Sequence, residues 1–219
     1  MSKNKIEIIK KEIIEACKLL EKEKFFIPTW GNISVKYNDE IIITPSKIEY
    51  DKLTPNDLLI LDIDKNILDG ENIPSSETDL HLEIYRNRED VKSVVHTHSE
   101  YASIFSVLRE SIPPITEEQA QLIGGEIKCS PKYIKGGDHI ELAKLTTEML
   151  GDENSALIPN HGVVCCGRNL KETVATAKVV EKTAKLYLFS KIYGKPKILT
   201  GEDVKEERYR FLYKYGKKN

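Results

Sequence analysis

Two histidines stand two apart in Val94-Val95-His96-Thr97-His98-Ser99, within an apolar, β-branched run. Strand side chains alternate between faces, so this spacing puts both imidazoles on one face and Thr97 on the other. Two neutral imidazoles gain little from each other, yet both can hold one divalent metal. A third, His161, lies in Leu157-Ile158-Pro159-Asn160-His161-Gly162-Val163-Val164 beside another apolar run, where Gly162 allows close backbone approach. Three protein ligands leave an open coordination position, the mark of a catalytic rather than a structural metal. Any one histidine alone reads more readily as a hydrogen-bonded structural residue, and the His96–His98 pair reads equally either way. His81 and His139 are not expected to be ligands; His81, one helical turn after Glu77, reads as structural, with orientation of the Glu77 carboxylate as the alternative.

Glu77 is the second feature. It stands at the start of a predicted helix, where it either complements the helix dipole or serves as metal ligand and proton carrier. The third feature is a set of small donors: Gly31-Asn32, Thr44 with Ser46-Lys47, and Ser75-Ser76. Turn N–H groups, hydroxyls and a helix N-terminus suit a phosphate group. Serine before a helix is also an ordinary cap.

The elements that must carry these groups follow from periodicity. Ile6, Ile9, Ile13, Cys17 and Leu20 recur at helical spacing, predicting an amphipathic helix that ends near Lys24. Thr29 to Tyr37 reads as a Gly-Asn turn and a strand, joined by an Asn38-Asp39 turn to a strand at Glu40 to Thr44. Leu58 to Asp62 is a third strand. Pro74 to His81 opens a helix capped by Ser75 or Ser76, with Leu80, Ile84 and Tyr85 toward the core. After the His96 strand come a helix over Glu100 to Leu108, the stop at Pro113-Pro114, and a helix over Ile140 to Leu150. Strands at Ala156 to Ile158 and Val163 to Cys166 flank His161. A long helix runs from about Leu170 to Tyr193, and the remainder is a polar tail. The tight hairpin excludes a wholly parallel sheet and favours a mixed or antiparallel sheet with helices on its faces. With no repeat and no evident linker, residues 1–219 read as one domain.

Composition excludes several classes. The 219 residues carry a formal net charge of -2, with Lys and Arg scattered, so nothing points to nucleic acid. No apolar run approaches membrane-spanning length, and the first residues lead into a charged helix rather than a signal-peptide core. Cys17, Cys129, Cys165 and Cys166 form no Cys-X-X-Cys pair. A reduced, cytoplasmic protein is expected, with Cys165 and Cys166 on opposite strand faces as core residues.

Taken in order, Gly31-Asn32-Ile33-Ser34-Val35, Thr44-Pro45-Ser46, Pro74-Ser75-Ser76-Glu77, His96-Thr97-His98, Asn160-His161-Gly162 and the tail Tyr215-Gly216 resemble the class II aldolase and adducin head domain family. Within it the chain is most similar to the L-fuculose-phosphate aldolases. The resemblance implies an α/β/α sandwich with a mixed, mostly antiparallel central sheet. It also implies a homotetramer with active sites between subunits. It implies zinc on His96, His98 and His161, with manganese, iron or cobalt as alternatives, and Glu77 as acid/base and as a ligand in the empty site. Gly31, Asn32, Ser46, Ser75 and Ser76 would hold substrate phosphate, and Tyr215 would close a neighbouring subunit's site. The implied reaction is cleavage of L-fuculose 1-phosphate, or a related deoxy-ketose phosphate, to dihydroxyacetone phosphate and an aldehyde such as lactaldehyde. The metal would act as Lewis acid and Glu77 would move a proton at carbon 3. The alternatives are a methylthioribulose-phosphate dehydratase, a ribulose-phosphate 4-epimerase or a sugar-acid phosphate decarboxylase of the same fold. A non-enzymatic adducin-like module would be expected to have lost the histidines.

Two departures from the family pattern stand out. Lys47 replaces a usual glycine, and either adds charge to the phosphate pocket or points to solvent. Glu117, in Thr116-Glu117-Glu118-Gln119, stands near where the bacterial fuculose enzymes carry a substrate-facing tyrosine. Glu117 or Glu118 is then either an extra proton carrier or merely the acidic start of a helix.

Overall fold

The computed structural model describes residues 2–215, so Gly216 lies outside the described residues. The chain runs from α1 (Ser2–Lys22) into the hairpin of β1 (Asn32–Tyr37) and β2 (Glu40–Ile43), then β3 (Leu59–Leu61) and β4 (Ile67–Asp69). Next come α2 (Thr78–Asn87), β5 (Ser93–Thr97), α3 (Glu100–Leu108), α4 (Glu117–Leu122) and β6 (Lys128–Cys129). The last elements are α5 (His139–Leu150), β7 (Ser155–Ile158), β8 (Gly162–Gly167), α6 (Leu170–Tyr193) and α7 (Gly201–Tyr213).

The strands form one eight-stranded sheet in the order β4-β3-β2-β1-β5-β8-β7-β6. Every neighbouring pair is antiparallel except β6 with β7, which matches the mixed, mostly antiparallel sheet expected. Alternation along the strands splits the apolar residues between two cores. Ile33, Ile42, Val95, Val163 and Cys165 pack with α1, α3 and α6 on one face. Ile41, Val94, Val164 and Cys166 pack with α2 and α5 on the other. Each such buried aliphatic side chain contributes about 1.5–3 kcal/mol relative to exposure. Cys165 and Cys166 therefore lie in opposite cores, and all four cysteines are buried and free. Among the described residues no helix is long and apolar enough to cross a membrane.

Four elements differ from expectation. α2 begins at Thr78, with Glu77 as its N-cap and no side-chain cap, so neither Ser75 nor Ser76 caps the helix. The Ser75 carbonyl instead accepts from the Thr78 N–H and hydroxyl, which holds the turn ahead of the helix. The C-terminal stretch expected as a tail contains α7, opened by a Thr200–Asp203 capping box. Its face is mostly polar, with only Val204 buried, so periodicity carries no signal there. β4, fully exposed, and β6, two residues long, are edge strands too short to stand out.

Candidate active site

The histidines meet because β5 and β8 are neighbours at the centre of the sheet. His96 pairs with Val164 and Thr97 with Val163, so the end of β5 abuts the start of β8. His98 lies one residue beyond β5, and its N–H donates to the Phe25 carbonyl. A Cβ at Gly162 would stand 2.4 Å from the Thr97 carbonyl oxygen, so only glycine lets the strands close here. Asn160 takes a left-handed φ of 57°, and the His161 N–H donates to Ser106 Oγ at 3.0 Å. Ser106 in turn donates to the Ile158 carbonyl, tying the turn to α3. The ligand atoms of His96, His98 and His161 all lie within 4.8 Å of one another, the cluster of this kind found among the described residues.

The donor set asks for a cation. His96 Nδ1 donates to the Val163 carbonyl at 3.0 Å, which leaves a lone pair on Nε2. That nitrogen faces His98 Nε2 at 3.0 Å and Glu77 Oε2 at 3.2 Å. The other Glu77 oxygen reaches His161 Nε2 at 3.2 Å. Burial, then the neighbouring imidazoles, holds His96 well below the ordinary histidine range and His98 down to about 4. Three imidazoles and a carboxylate converging on one point could hold a metal ion, and the His96 bond to a carbonyl is the usual support for a ligating ring.

Beside this cluster lies a cavity of about 350 Å³, lined by Gly31, Asn32, Ser46, Ser75, Ser76, Glu77 and the rings of Trp30, His98, His139 and His161. Its walls are built by a crossing of two loops. Pro45 bridges Pro74, Ser46 N–H donates to the Ile73 carbonyl, and Ser75 N–H donates to the Thr44 carbonyl. Gly31 has a φ of 115°, and a Cβ there would stand 2.4 Å from the Phe26 ring. Tyr50 locks this turn by donating to the Gly31 carbonyl at 2.7 Å. Asn32, at the start of β1 opposite His96, donates to Glu77 Oε2 at 2.9 Å.

Other predicted residues fall elsewhere. Lys47 is exposed, with a left-handed φ of 63°, and does not line the cavity. That conformation is the physical reason a glycine suits the position. Glu117 and Glu118 open α4, where Glu118 pairs with Lys182 at 2.6 Å, and neither lines the cavity of its own chain. Tyr215 is 77% exposed and does not line it either. Sequence reasoning passed over Trp30, whose ring centre lies 5.9 Å from that of His98; it set His139 aside as a ligand and gave it no other place, whereas His139 lines the cavity from the start of α5. Trp30 directly precedes Gly31-Asn32, and that adjacency was the available signal. His81 is no metal ligand: its Nε2 lies 2.6 Å from Asn32 Oδ1.

A family model for the class II aldolase and adducin N-terminal domain matches residues 11–188. The chain is 34% identical over 185 residues to a 5-deoxy-D-ribulose 1-phosphate aldolase of Bacillus thuringiensis serovar kurstaki, covering 84% of this chain and 85% of that one. It is 33% identical over 205 residues to the L-fuculose phosphate aldolase of Escherichia coli, covering 93% of each. Among solved structures, an L-fuculose 1-phosphate aldolase superposes with a TM-score of 0.88 at 30% identity, over 93% of this chain and 96% of that one.

Proposed function

This chain belongs to the class II aldolase and adducin N-terminal domain family, and on that premise we propose that it cleaves L-fuculose 1-phosphate or a related deoxy-ketose 1-phosphate to dihydroxyacetone phosphate and an aldehyde. The observation that carries the reading is the convergence of three imidazoles and the Glu77 carboxylate beside a cavity walled by small donors. The two relatives named above, one acting on fuculose phosphate and one on 5-deoxyribulose 1-phosphate, support the substrate class.

His96, His98 and His161 would hold one divalent ion, zinc in this reading, which suits three imidazoles and an oxygen donor. When bound, such an ion supplies Lewis acidity at the ketone of the substrate. Gly31, Asn32, Ser46, Ser75 and Ser76 hold the phosphate with hydroxyls, an amide and the backbone at the start of α2. The bond between carbons 3 and 4 breaks, its electron pair stays on carbon 3, and the hydroxyl at carbon 4 becomes the aldehyde as its proton leaves. Glu77 returns a proton to carbon 3, which completes dihydroxyacetone phosphate. That proton is the one lost from the carbon-4 hydroxyl, relayed to Glu77 through the Tyr215 hydroxyl of a neighbouring chain, which gives up its own proton as it takes this one, with Glu117 and Glu118 next in line for the relay. Tyr215 is exposed and does not line the cavity of its own chain, so in this reading it reaches a neighbouring subunit's site in a homotetramer. Four free, buried cysteines support a reducing, cytoplasmic setting.

A panel of ketose 1-phosphates, including 5-deoxy and methylthio pentuloses, tests the reading by release of dihydroxyacetone phosphate. Turnover without that product, by loss of water, epimerisation or decarboxylation, would overturn it.

A further inference from the structure

Behind the cavity a buried line of polar side chains runs from Asn32 and Glu77 to Ser34, His81 and Tyr85, three residues that the reaction does not use. Asn32 and Ser34 sit two apart on β1, while Glu77, His81 and Tyr85 sit four apart along α2. Two strand residues rise about 6.6 Å and four helical residues about 6 Å, so the two rows run in step. Tyr85 OH lies 2.7 Å from Ser34 Oγ, and Ser34 Oγ 2.6 Å from His81 Nδ1. His81 Nε2 lies 2.6 Å from Asn32 Oδ1, and Asn32 Nδ2 donates to Glu77 Oε2 at 2.9 Å. Ser34 and His81 have no exposed surface at all, and Ser34 lies opposite the core residue Val94 in the sheet.

The chemistry of these atoms allows one consistent assignment. A carboxylate only accepts, so the Asn32 NH2 must face Glu77 and its oxygen must face His81. His81 then donates from Nε2 and accepts at Nδ1 from the Ser34 hydroxyl, which accepts from Tyr85. Burial keeps the ring neutral, with its pKa held down to about 4. The reverse amide orientation would set an oxygen against the Glu77 carboxylate and leave two buried groups unmatched. The Asn32 NH2 has two hydrogens, one committed to Glu77 and one left for the cavity.

We propose that Tyr85, Ser34 and His81 are positioning residues that fix the Asn32 amide with its NH2 toward the phosphate cavity and Glu77. The inference rests on the proposed phosphate site and adds what keeps that site a donor. With the relay broken, His81 can present a lone pair to Asn32, the amide turns over, and its oxygen opposes both the phosphate and Glu77.

The test uses the metal-loaded full chain and inorganic phosphate as the probe. Ser34→Ala and His81→Leu should weaken phosphate binding about tenfold, the scale of one lost hydrogen bond to a charged group, with metal content unchanged. His81→Gln, whose amide can donate to Asn32 and accept from Ser34, should restore affinity to near the parent. Nitrogen-15 spectra of the ring should report His81 as the Nε2–H tautomer. Asn32→Ala separates the two ideas. If Asn32→Ala weakens phosphate but Ser34→Ala and His81→Leu do not, the positioning role is wrong and the phosphate site stands. If Asn32→Ala binds phosphate as the parent does, the phosphate site itself is wrong. Equal losses in His81→Leu and His81→Gln, or an Nδ1–H tautomer, also overturn the positioning role. Should His81→Leu fail to fold, Ser34→Ala and the tautomer still decide.

Discussion

Glu77 and His96 face each other at 3.2 Å across the join of α2 and β5, with no proton donor between carboxylate oxygen and ring nitrogen once His96 Nδ1 is committed to Val163. A carboxylate so placed serves either as ligand or, displaced by substrate oxygens, as proton carrier. Glu77→Gln keeps the size and removes the basicity. It should retain the metal, because three imidazoles remain, while turnover falls on the order of 10²–10⁴. Exchange of the carbon-3 proton of dihydroxyacetone phosphate with solvent should vanish alongside. Normal exchange in metal-loaded Glu77→Gln would pass the proton role to another group, Glu117 or Glu118 first.

Metal content is a direct reading of the triad. Mass spectrometry of the elements should give one divalent ion per chain, and a strong chelator should abolish activity in a way that added metal reverses. His98→Ala should lower affinity by at least about tenfold, more than loss of a supporting group would at the low end. Full retention of the ion in His98→Ala would remove His98 from the ligand set.

The crossing loops predict a specific binding loss. Ser75→Ala with Ser76→Ala should weaken inorganic phosphate about ten- to hundredfold, as two hydrogen bonds to a charged group are removed. Turnover at saturation should change far less. Parent-like phosphate affinity would place the anion elsewhere.

Lys47 makes a prediction about stability rather than chemistry. A non-glycine residue in the left-handed region costs about 1–2 kcal/mol, part of which glycine returns through its greater freedom in the unfolded chain. Lys47→Gly should therefore stabilise the fold by up to about 1 kcal/mol in urea titrations and leave phosphate affinity unchanged. A weaker phosphate complex would show that the exposed ammonium reaches the cavity after all.

Acid sensitivity follows from His81. Its pKa is held down to about 4 by burial, against about 6.5 in an unfolded chain. The native state therefore binds fewer protons than the unfolded state between those values. The stability this contributes is present above about 6.5 and is lost as pH falls toward 4, with a slope of up to about 1.4 kcal/mol per pH unit. Urea titrations of the metal-free protein across this window should show a slope to which His96 and His98 also contribute, and His81→Gln should lower it by up to about 1.4 kcal/mol per pH unit. An equal slope in the variant would assign the effect to other buried histidines.

The histidine cluster was legible because each member carries its own local signal, a spacing of two along the β5 segment and a glycine after His161. The hairpin and the long α6 were legible for similar reasons, since Asn38-Asp39 and the spacing of apolar residues act locally. The start of α2 was misread because Ser75-Ser76 has cap chemistry, while the turn uses the Ser75 carbonyl. α7 was missed because its face is nearly all polar. Of the line from Glu77 to Tyr85, only the helical spacing of His81 after Glu77 was legible; its link through Asn32 and Ser34 was not. It depends on β1 and α2 running in step, a register that no single stretch of sequence encodes.

The rung between Thr97 and Val163 has a bearing on how the protein comes into being. His96 and the carbonyl that orients it are 67 residues apart in the chain. Closing so long a loop precedes any gain from the contacts it allows, which makes such rungs late and slow to form. The three imidazoles therefore gather only when the middle of the sheet has zipped. A newly made chain would offer a passing ion two nearby rings at most, so uptake of a metal at this cluster would be the last act of folding rather than its trigger.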